Sequence, residues 1–227
     1  MNSSELKALF NAKYQRMKAN SQRTRLWRAI SWISRAEQEP DDPDAAFLFL
    51  WMAFNSLYAV SSEEQLADHR MFKNFLVDIV RQDKQGRLQE TLVNLYSDHV
   101  RPLLRNKFVF RPFWDEVTGR RQNTRWQQYL GQEALDAETA IRQGDTAHGL
   151  LIIFDRLYLL RNQLIHGAAT HGSSLNRSAL NSAHALLSVI VPEMTHILIK
   201  HPKIRLGPIF FPVLKEDEAS GGISILE

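Results

Sequence analysis

The feature that most constrains this fold is a segment that is apolar on every side of a helix. Residues 44–60 end in AAFLFLWMAFNSLYAV, with no charged residue after Asp44. Two prolines and three aspartates lie at or just before its start, which is typical of a helix N-terminus. A helix without a polar face needs other elements around it. The chain is therefore predicted to fold as an all-α bundle with this helix at its centre.

Helical periodicity extends over most of the remaining chain. Glycine and proline are few, 10 and 8 of 227 residues, which favours helices over a turn-rich β-sandwich. Two N-terminal helices are predicted within residues 1–38, and core helices at 44–60 and within 146–200. The separate helices are expected at 4–20, 22–38, 44–60, 63–83, 87–100, 122–142, 146–166 and 175–200. The two most apolar of these, 44–60 and 146–166, are predicted to face each other.

Residues 101–121 (RPLLRNKFVFRPFWDEVTGRR) interrupt this regular pattern. Two prolines, a glycine and several aromatic residues predict an aromatic-rich, irregular insertion, made of a loop or short elements. Residues 1–214 are predicted to form a single helical domain. Residues 215–227, which include the polar run KEDEASGG, are predicted to be a disordered tail.

Composition excludes several classes of protein. The chain has no cysteine, which excludes a disulfide framework and thiolate metal sites. The N-terminal segment lacks the apolar core of a secretory signal, and the longest apolar run, 45–54, is about half of a membrane span. A cytoplasmic protein without membrane association is therefore expected. No metal site is predicted, since His171, His196 and His201 lack acids at ligand spacing, and no motif indicates a cofactor.

The net charge of +3 conceals an uneven distribution of basic residues. One basic stretch covers residues 1–35, and a second runs from Arg101 to Arg125. The candidate RNA-binding cations of the second stretch are Arg105, Lys107, Arg111, Arg120, Arg121 and Arg125. They alternate with aromatic residues, a combination that binds single-stranded nucleic acid. The aromatic residues are predicted to pack the insertion onto the bundle, and the basic stretches could also be ordinary solvated faces.

The motif with the clearest chemistry is YLLRNQLIHG, residues 158–167. Asn162 and His166 are four residues apart and share one helix face. Arg161 lies about 140° around the helix from His166, within reach of the same pocket through its long side chain. Gly167 is predicted to end the helix in a left-handed conformation. The helix C-terminus favours the protonated imidazole.

These residue types suit cleavage of RNA by its own 2′-hydroxyl. A histidine can act as base or acid, an arginine can hold phosphate oxygens, and an asparagine can orient either of them. Two other Arg–His pairs, Arg142 with His148 and Arg177 with His184, lack the surrounding context. A purely structural interpretation stays open, in which His166 caps the helix and Arg161 pairs with a carboxylate such as Asp155.

The motif and the segment FLFLWMAFNSLY, with Trp51, Asn55 and Tyr58, resemble the HEPN superfamily in its Apea-like branch. The resemblance covers these two segments only. It implies a HEPN-type helical bundle that acts as a homodimeric, metal-independent endoribonuclease. Two sets of Arg161, Asn162 and His166 would then face one cleft and leave 2′,3′-cyclic phosphate and 5′-hydroxyl ends. The residues in supporting positions are Asn55, Tyr158 and Gly167.

The same resemblance implies a biological setting and alternatives. Bacterial defence or a toxin–antitoxin system is expected, with a structured RNA as target and an antitoxin or regulatory protein as a further partner. Some HEPN toxins are silenced by nucleotide transfer onto a tyrosine where this chain has Ala168, so that control is not expected. A non-catalytic HEPN domain that binds RNA, nucleotide or protein is the main alternative, and a helical scaffold is the third. The polar Asn55 needs a partner, either on the 146–166 helix or a backbone carbonyl.

Overall fold

A computed structural model describes residues 1–18, 20–60, 68–174, 176–202, 204, 206–209, 211–217 and 222–225. Its helices are α1 (Ser3–Tyr14), α2 (Ser21–Ala36), α3 (Pro43–Tyr58), α4 (Asp68–Gln82), α5 (Arg87–Asn94), α6 (Arg101–Leu104), α7 (Arg111–Val117), α8 (Trp126–Gln143), α9 (Thr146–Ile165) and α10 (Arg177–Lys200). Two short strands, β1 (Leu214–Asp217) and β2 (Gly222–Ile225), follow them. The predicted all-α fold is confirmed.

Helix starts follow local capping chemistry. Asn2 and Glu5 form a reciprocal capping box at the start of α1. Asp42 accepts a hydrogen bond from the Ala45 amide at 3.0 Å at the start of α3, and Asp145 does the same for the His148 amide in α9. Such side chains satisfy amides that have no partner inside the helix. The acidic and polar residues between apolar runs therefore fix where these helices begin.

The central position of α3 is as predicted. Phe47, Trp51 and Phe54 are fully buried, and α3 packs most extensively against α2 and α10. Its contact with α9 is made by aromatic rings: Phe54 and Phe154 have centroids 4.7 Å apart, and Trp51 lies 6.1 Å from Tyr158. Burial of each such ring contributes roughly 1.5–3 kcal/mol. The predicted facing pair, α3 and α9, is thus joined through the aromatic core.

The insertion is more regular than its composition suggests. A π-helical turn (Tyr96–Val100) leads into α6, and a 3-10 turn (Lys107–Val109) precedes α7. The prolines at 102 and 112 stand in the first turns of α6 and α7. Proline is well tolerated there because the first helical amides have no internal partner. Residues 101–121 are consequently a series of short helices rather than an open loop.

Buried contacts fasten this insertion to α9. Phe110 is buried, and the guanidinium of Arg156 lies 4.3 Å from the centroid of its ring. The Gln163 Nε2 and the Trp114 indole both donate to the Phe108 carbonyl, at 2.7 and 2.8 Å. The insertion therefore lies beside the helix that carries the Arg–Asn–His motif.

The C-terminal segment returns to the bundle. Buried Arg25 donates hydrogen bonds to the carbonyls of Leu57, Ala59 and Gly207, at 3.1, 2.7 and 3.0 Å. Within the tail predicted to be disordered, the described residues of β1 and β2 pair as an antiparallel hairpin, with Leu214 opposite Ile225. The described residues of β1 and β2 are thus ordered by backbone pairing, whereas the polar composition had predicted disorder.

Within the described ranges, one helix meets the length and composition of a membrane span. This is α10, and 78% of its most apolar window is buried inside the bundle. A core helix passes the same test as a membrane helix.

Candidate functional site

The motif helix ends in a left-handed glycine turn. Gly167 has φ +68°, its amide donates to the Leu164 carbonyl at 3.2 Å, and the Ala168 amide donates to the Gln163 carbonyl at 2.8 Å. This pair of bonds is a Schellman motif, and the predicted glycine cap is confirmed. His166 stands at the cap itself, with its side chain exposed.

Arg161 is held by its neighbour in sequence. Its Nη1 donates to Asn162 Oδ1 at 2.9 Å, and its guanidinium lies 6.0 Å from the centroid of the Tyr158 ring. Among the described residues no carboxylate pairs with Arg161, and its buried Nε has no hydrogen-bond partner. The structural interpretation offered Asp155 as one such partner, and no ion pair between Arg161 and Asp155 is formed.

Asp155 has other partners. Its Oδ1 lies 2.8 Å from His69 Nε2, and its Oδ2 lies 3.0 Å from Lys73 Nζ. The His69 ring also contacts the Tyr158 ring edge-on, with centroids 5.3 Å apart. Tyr158 thus lies between His69 on one side and Arg161 on the other. Sequence reasoning missed His69, because its partner lies 86 residues further along the chain.

The two proposed reacting side chains differ in exposure. His166 makes no side-chain hydrogen bond or ion pair within the described residues, and Arg161 is half-buried. At 100° per residue, Asn162 lies about 40° around α9 from His166, and Asp155 about 20°. The helix therefore presents a polar face along which Asp155, Asn162 and His166 are aligned.

Asn55 has a different partner from either of those expected. Its Oδ1 accepts a hydrogen bond from the Tyr58 hydroxyl at 2.8 Å. Both residues lie on α3, three positions apart, which is neighbouring spacing on a helix surface. The partner of this oxygen is therefore a hydroxyl on the same helix, and the expected pairing of Asn55 with α9 or with a backbone carbonyl stays a prediction for its amide nitrogen.

All six candidate RNA-binding cations are exposed. These cations are Arg105, Lys107, Arg111, Arg120, Arg121 and Arg125. In the described part of the chain, no carboxylate lies within ion-pair distance of any of them. The Lys107 ammonium lies 5.2 Å from the Phe108 ring centroid and 5.4 Å from that of Phe113. Phe113 in turn meets Trp126 edge-on at 5.1 Å. The aromatic residues pack against one another, and their cations face the solvent with unneutralised charge.

A cavity of about 340 Å³ lies between the insertion and the end of α9, beside the contacts that join them. Its lining includes Phe108, Trp114, Leu159, Gln163, Ala168 and Asn176. Gln163 is fixed at both ends of its amide, since it donates to the Phe108 carbonyl and accepts from Asn176 Nδ2 at 3.2 Å. Asn176 Oδ1 is buried and has no partner. No sequence motif pointed to this cavity, because it is formed by three separate segments.

Three potential metal ligands lie close together at the start of α3, although no metal site was predicted there. One ligand atom each from Asp42, Asp44 and His171 lies within 4.8 Å of the other two. Asp44, however, pairs with Arg177 at 2.8 Å, and Asp42 pairs with His171 at 3.0 Å. The amide of Ala45 and the His171 ring both lower the pKa of Asp42. The arrangement is that of one ion pair, Asp44–Arg177, and one hydrogen-bonded pair, Asp42–His171, which hold the segment after Gly167 against α3.

Comparison with known proteins gives this chain no relative. It matches no protein-family model, no curated protein and no solved structure. The chemistry of its own residues is the basis on which a function can be argued.

Proposed function

We propose that this protein is a metal-independent endoribonuclease of the HEPN type, in which Arg161, Asn162 and His166 carry the reaction. The observation that supports this most is the state of the motif at the end of α9. Among the described residues, the imidazole of His166 is exposed and unpaired, and Arg161 is held by Asn162 with no carboxylate to neutralise it.

The proposed reaction is an attack of RNA on itself. His166 accepts the proton of a ribose 2′-hydroxyl, whose oxygen then bonds to the adjacent phosphorus. The bond from phosphorus to the 5′-oxygen breaks, and an acid returns a proton to that oxygen. The products are a 2′,3′-cyclic phosphate and a 5′-hydroxyl. Arg161 donates to the phosphate oxygens, whose charge increases in the transition state.

A second copy of the chain would supply the acid. One motif provides one exposed imidazole, whereas the reaction uses a base and an acid on opposite sides of the phosphate. The apolar side chain of Ile165, directly before His166, is 48% exposed. Burial of Ile165 against a second protomer would bring two motifs to one cleft. The six exposed cations would then lie along the bound RNA strand.

Binding of RNA without cleavage is the second candidate. The six cations of the insertion, which have no ion-pair partner among the described residues, favour it because they would attract a polyanion whether or not His166 acts. In this case the Arg161–Asn162 pair would hold a phosphate without promoting attack on it by the 2′-hydroxyl.

The deciding experiment is cleavage of total RNA by the full chain in excess EDTA. We expect the wild-type protein to cut, and His166→Ala and Arg161→Ala to lose at least a hundredfold in rate. Arg142→Ala and His148→Ala are the matched controls, since this second Arg–His pair is also exposed but lies away from the motif. Equal rates for all five proteins contradict the proposed site. A wild-type protein that binds RNA and leaves it intact supports the non-catalytic candidate.

A further inference from the structure

The cavity beside the motif has the features of a site for a planar, partly polar ligand. Its lining is mostly apolar, and its volume of about 340 Å³ suits a small ligand. The Trp114 side chain is fixed in place because its indole donates to the Phe108 carbonyl. A rigid aromatic wall of this kind can stack against a flat ring.

One polar group beside the cavity has no partner among the described residues. Asn176 uses its Nδ2 on Gln163, and its Oδ1 is buried and accepts no hydrogen bond from the described part of the chain. A buried acceptor without a partner costs free energy, which a rotation of the Asn176 side chain toward an N–H donor in the cavity would recover. Arg120, exposed and without an ion-pair partner among the described residues, also lines the cavity and adds positive charge.

The cavity is adjacent to the proposed reaction site. Leu159 and Gln163 line it from α9, and they lie about 20° and 60° around the helix from His166. Ala168, two residues after His166, lines it from the other side. A nucleotide whose phosphate lies at His166 would therefore have its base within reach of this cavity.

We propose that the cavity binds one unpaired nucleobase of a single-stranded RNA, next to the phosphate at His166. The base stacks on Trp114 and donates an N–H to Asn176 Oδ1 once that side chain rotates toward the cavity, while Arg120 contacts the backbone. The placement of the bound base next to the phosphate that is cut rests on the proposed function. Binding of the base implies that the target is single-stranded at the cut, because a base inside a duplex cannot enter.

Binding of uncleavable strands tests the cavity separately from catalysis. The probes are 2′-O-methyl octanucleotides of A, C or U, which lack the attacking hydroxyl, and an abasic strand of equal length. We expect the wild-type chain to bind at least one base-containing strand about tenfold or more tightly than the abasic strand. Trp114→Ala should remove this preference. It should leave the salt dependence of binding unchanged, because the phosphate contacts remain.

Ala168→Phe is the second variant, since it fills the cavity without removing any of its walls. It should also remove the preference for bases. Trp27→Ala is the matched control, as Trp27 is an exposed tryptophan on α2, and it should keep the preference. Equal wild-type binding of base-containing and abasic strands, or a full preference in either cavity variant, overturns the proposal. A loss of cleavage with retained base preference counts against the nuclease and leaves the cavity assignment standing.

Discussion

At the scale of single residues, the position of Arg161 depends on one side-chain hydrogen bond within the described part of the chain. The guanidinium contacts Asn162 Oδ1 and the Tyr158 ring. A long side chain loses considerable rotamer entropy when it is fixed, so removal of the asparagine oxygen should release it. Asn162 would thus be a positioning residue for Arg161 as well as a neighbour of His166.

Asn162→Ala should lower the rate of RNA cleavage by about tenfold to a hundredfold, because the cation is no longer held beside the phosphate. The free energy of unfolding should change little, since Asn162 is half-buried at a helix surface. Single-turnover cleavage and urea unfolding measure the two effects. Gln132→Ala, a change of an exposed amide on α8, serves as control. A cleavage rate equal to that of the wild type would show that Asn162 does not position Arg161.

At the scale of elements, the C-terminus of α9 depends on a backbone conformation that only glycine adopts easily. Gly167 has φ +68°, and an added Cβ would meet no atom within 4 Å. A side chain at this position should therefore change the free energy of unfolding through the strained backbone conformation, and not through contact with neighbouring atoms. Gly131 in α8 offers a direct comparison, because its surroundings are equally open and its φ is not positive.

Gly167→Ala should destabilise the protein by about 1–2 kcal/mol, the cost of the left-handed conformation for an L-residue. Gly131→Ala should instead stabilise it by about 0.5–1 kcal/mol, as alanine favours a helix interior. Urea denaturation of both variants gives the two free energies. Two changes of the same sign would be inconsistent with the cap as described.

The helix α10 contains a histidine that links stability to pH. Burial lowers the pKa of His184 below its ordinary 6.5. The unfolded chain therefore binds a proton at a pH where the folded chain does not, and the stability due to neutral His184 is lost as the pH falls below about 6.5. His184→Gln should show a smaller loss of melting temperature between pH 7.5 and pH 5.5 than the wild type. An identical loss in both proteins would contradict this assignment.

At the scale of the whole molecule, the proposed reaction needs two copies of the chain. Ile165→Glu places a charge where an apolar contact between protomers is expected, and it should produce a monomer that no longer cuts RNA. Val189→Glu, a like change at an exposed apolar residue of α10, should alter neither property. Sedimentation velocity and RNA cleavage are the measurements. An Ile165→Glu protein that is still dimeric and active would place the interface elsewhere.

Local sequence was sufficient to predict the helical class, the central α3 and the glycine turn at Gly167. Apolar periodicity and capping residues act within a few positions, so they can be recognised without knowledge of the fold. The ring contact of α3 with α9 was also predicted, whereas the more extensive packing of α3 against α2 and α10 was not. The short helices of the insertion were less clear, because proline both breaks helices and begins them.

The surroundings of the motif were decided only by the tertiary structure. The pairing of Asp155 with His69 joins residues 86 apart in sequence, and the cavity unites the insertion, α9 and the segment after Gly167. Within the described part of the chain, the same fold leaves Arg161 without a carboxylate partner and the six insertion cations exposed. Such contacts depend on how distant segments pack, and local patterns of residue type do not encode which distant side chains will meet.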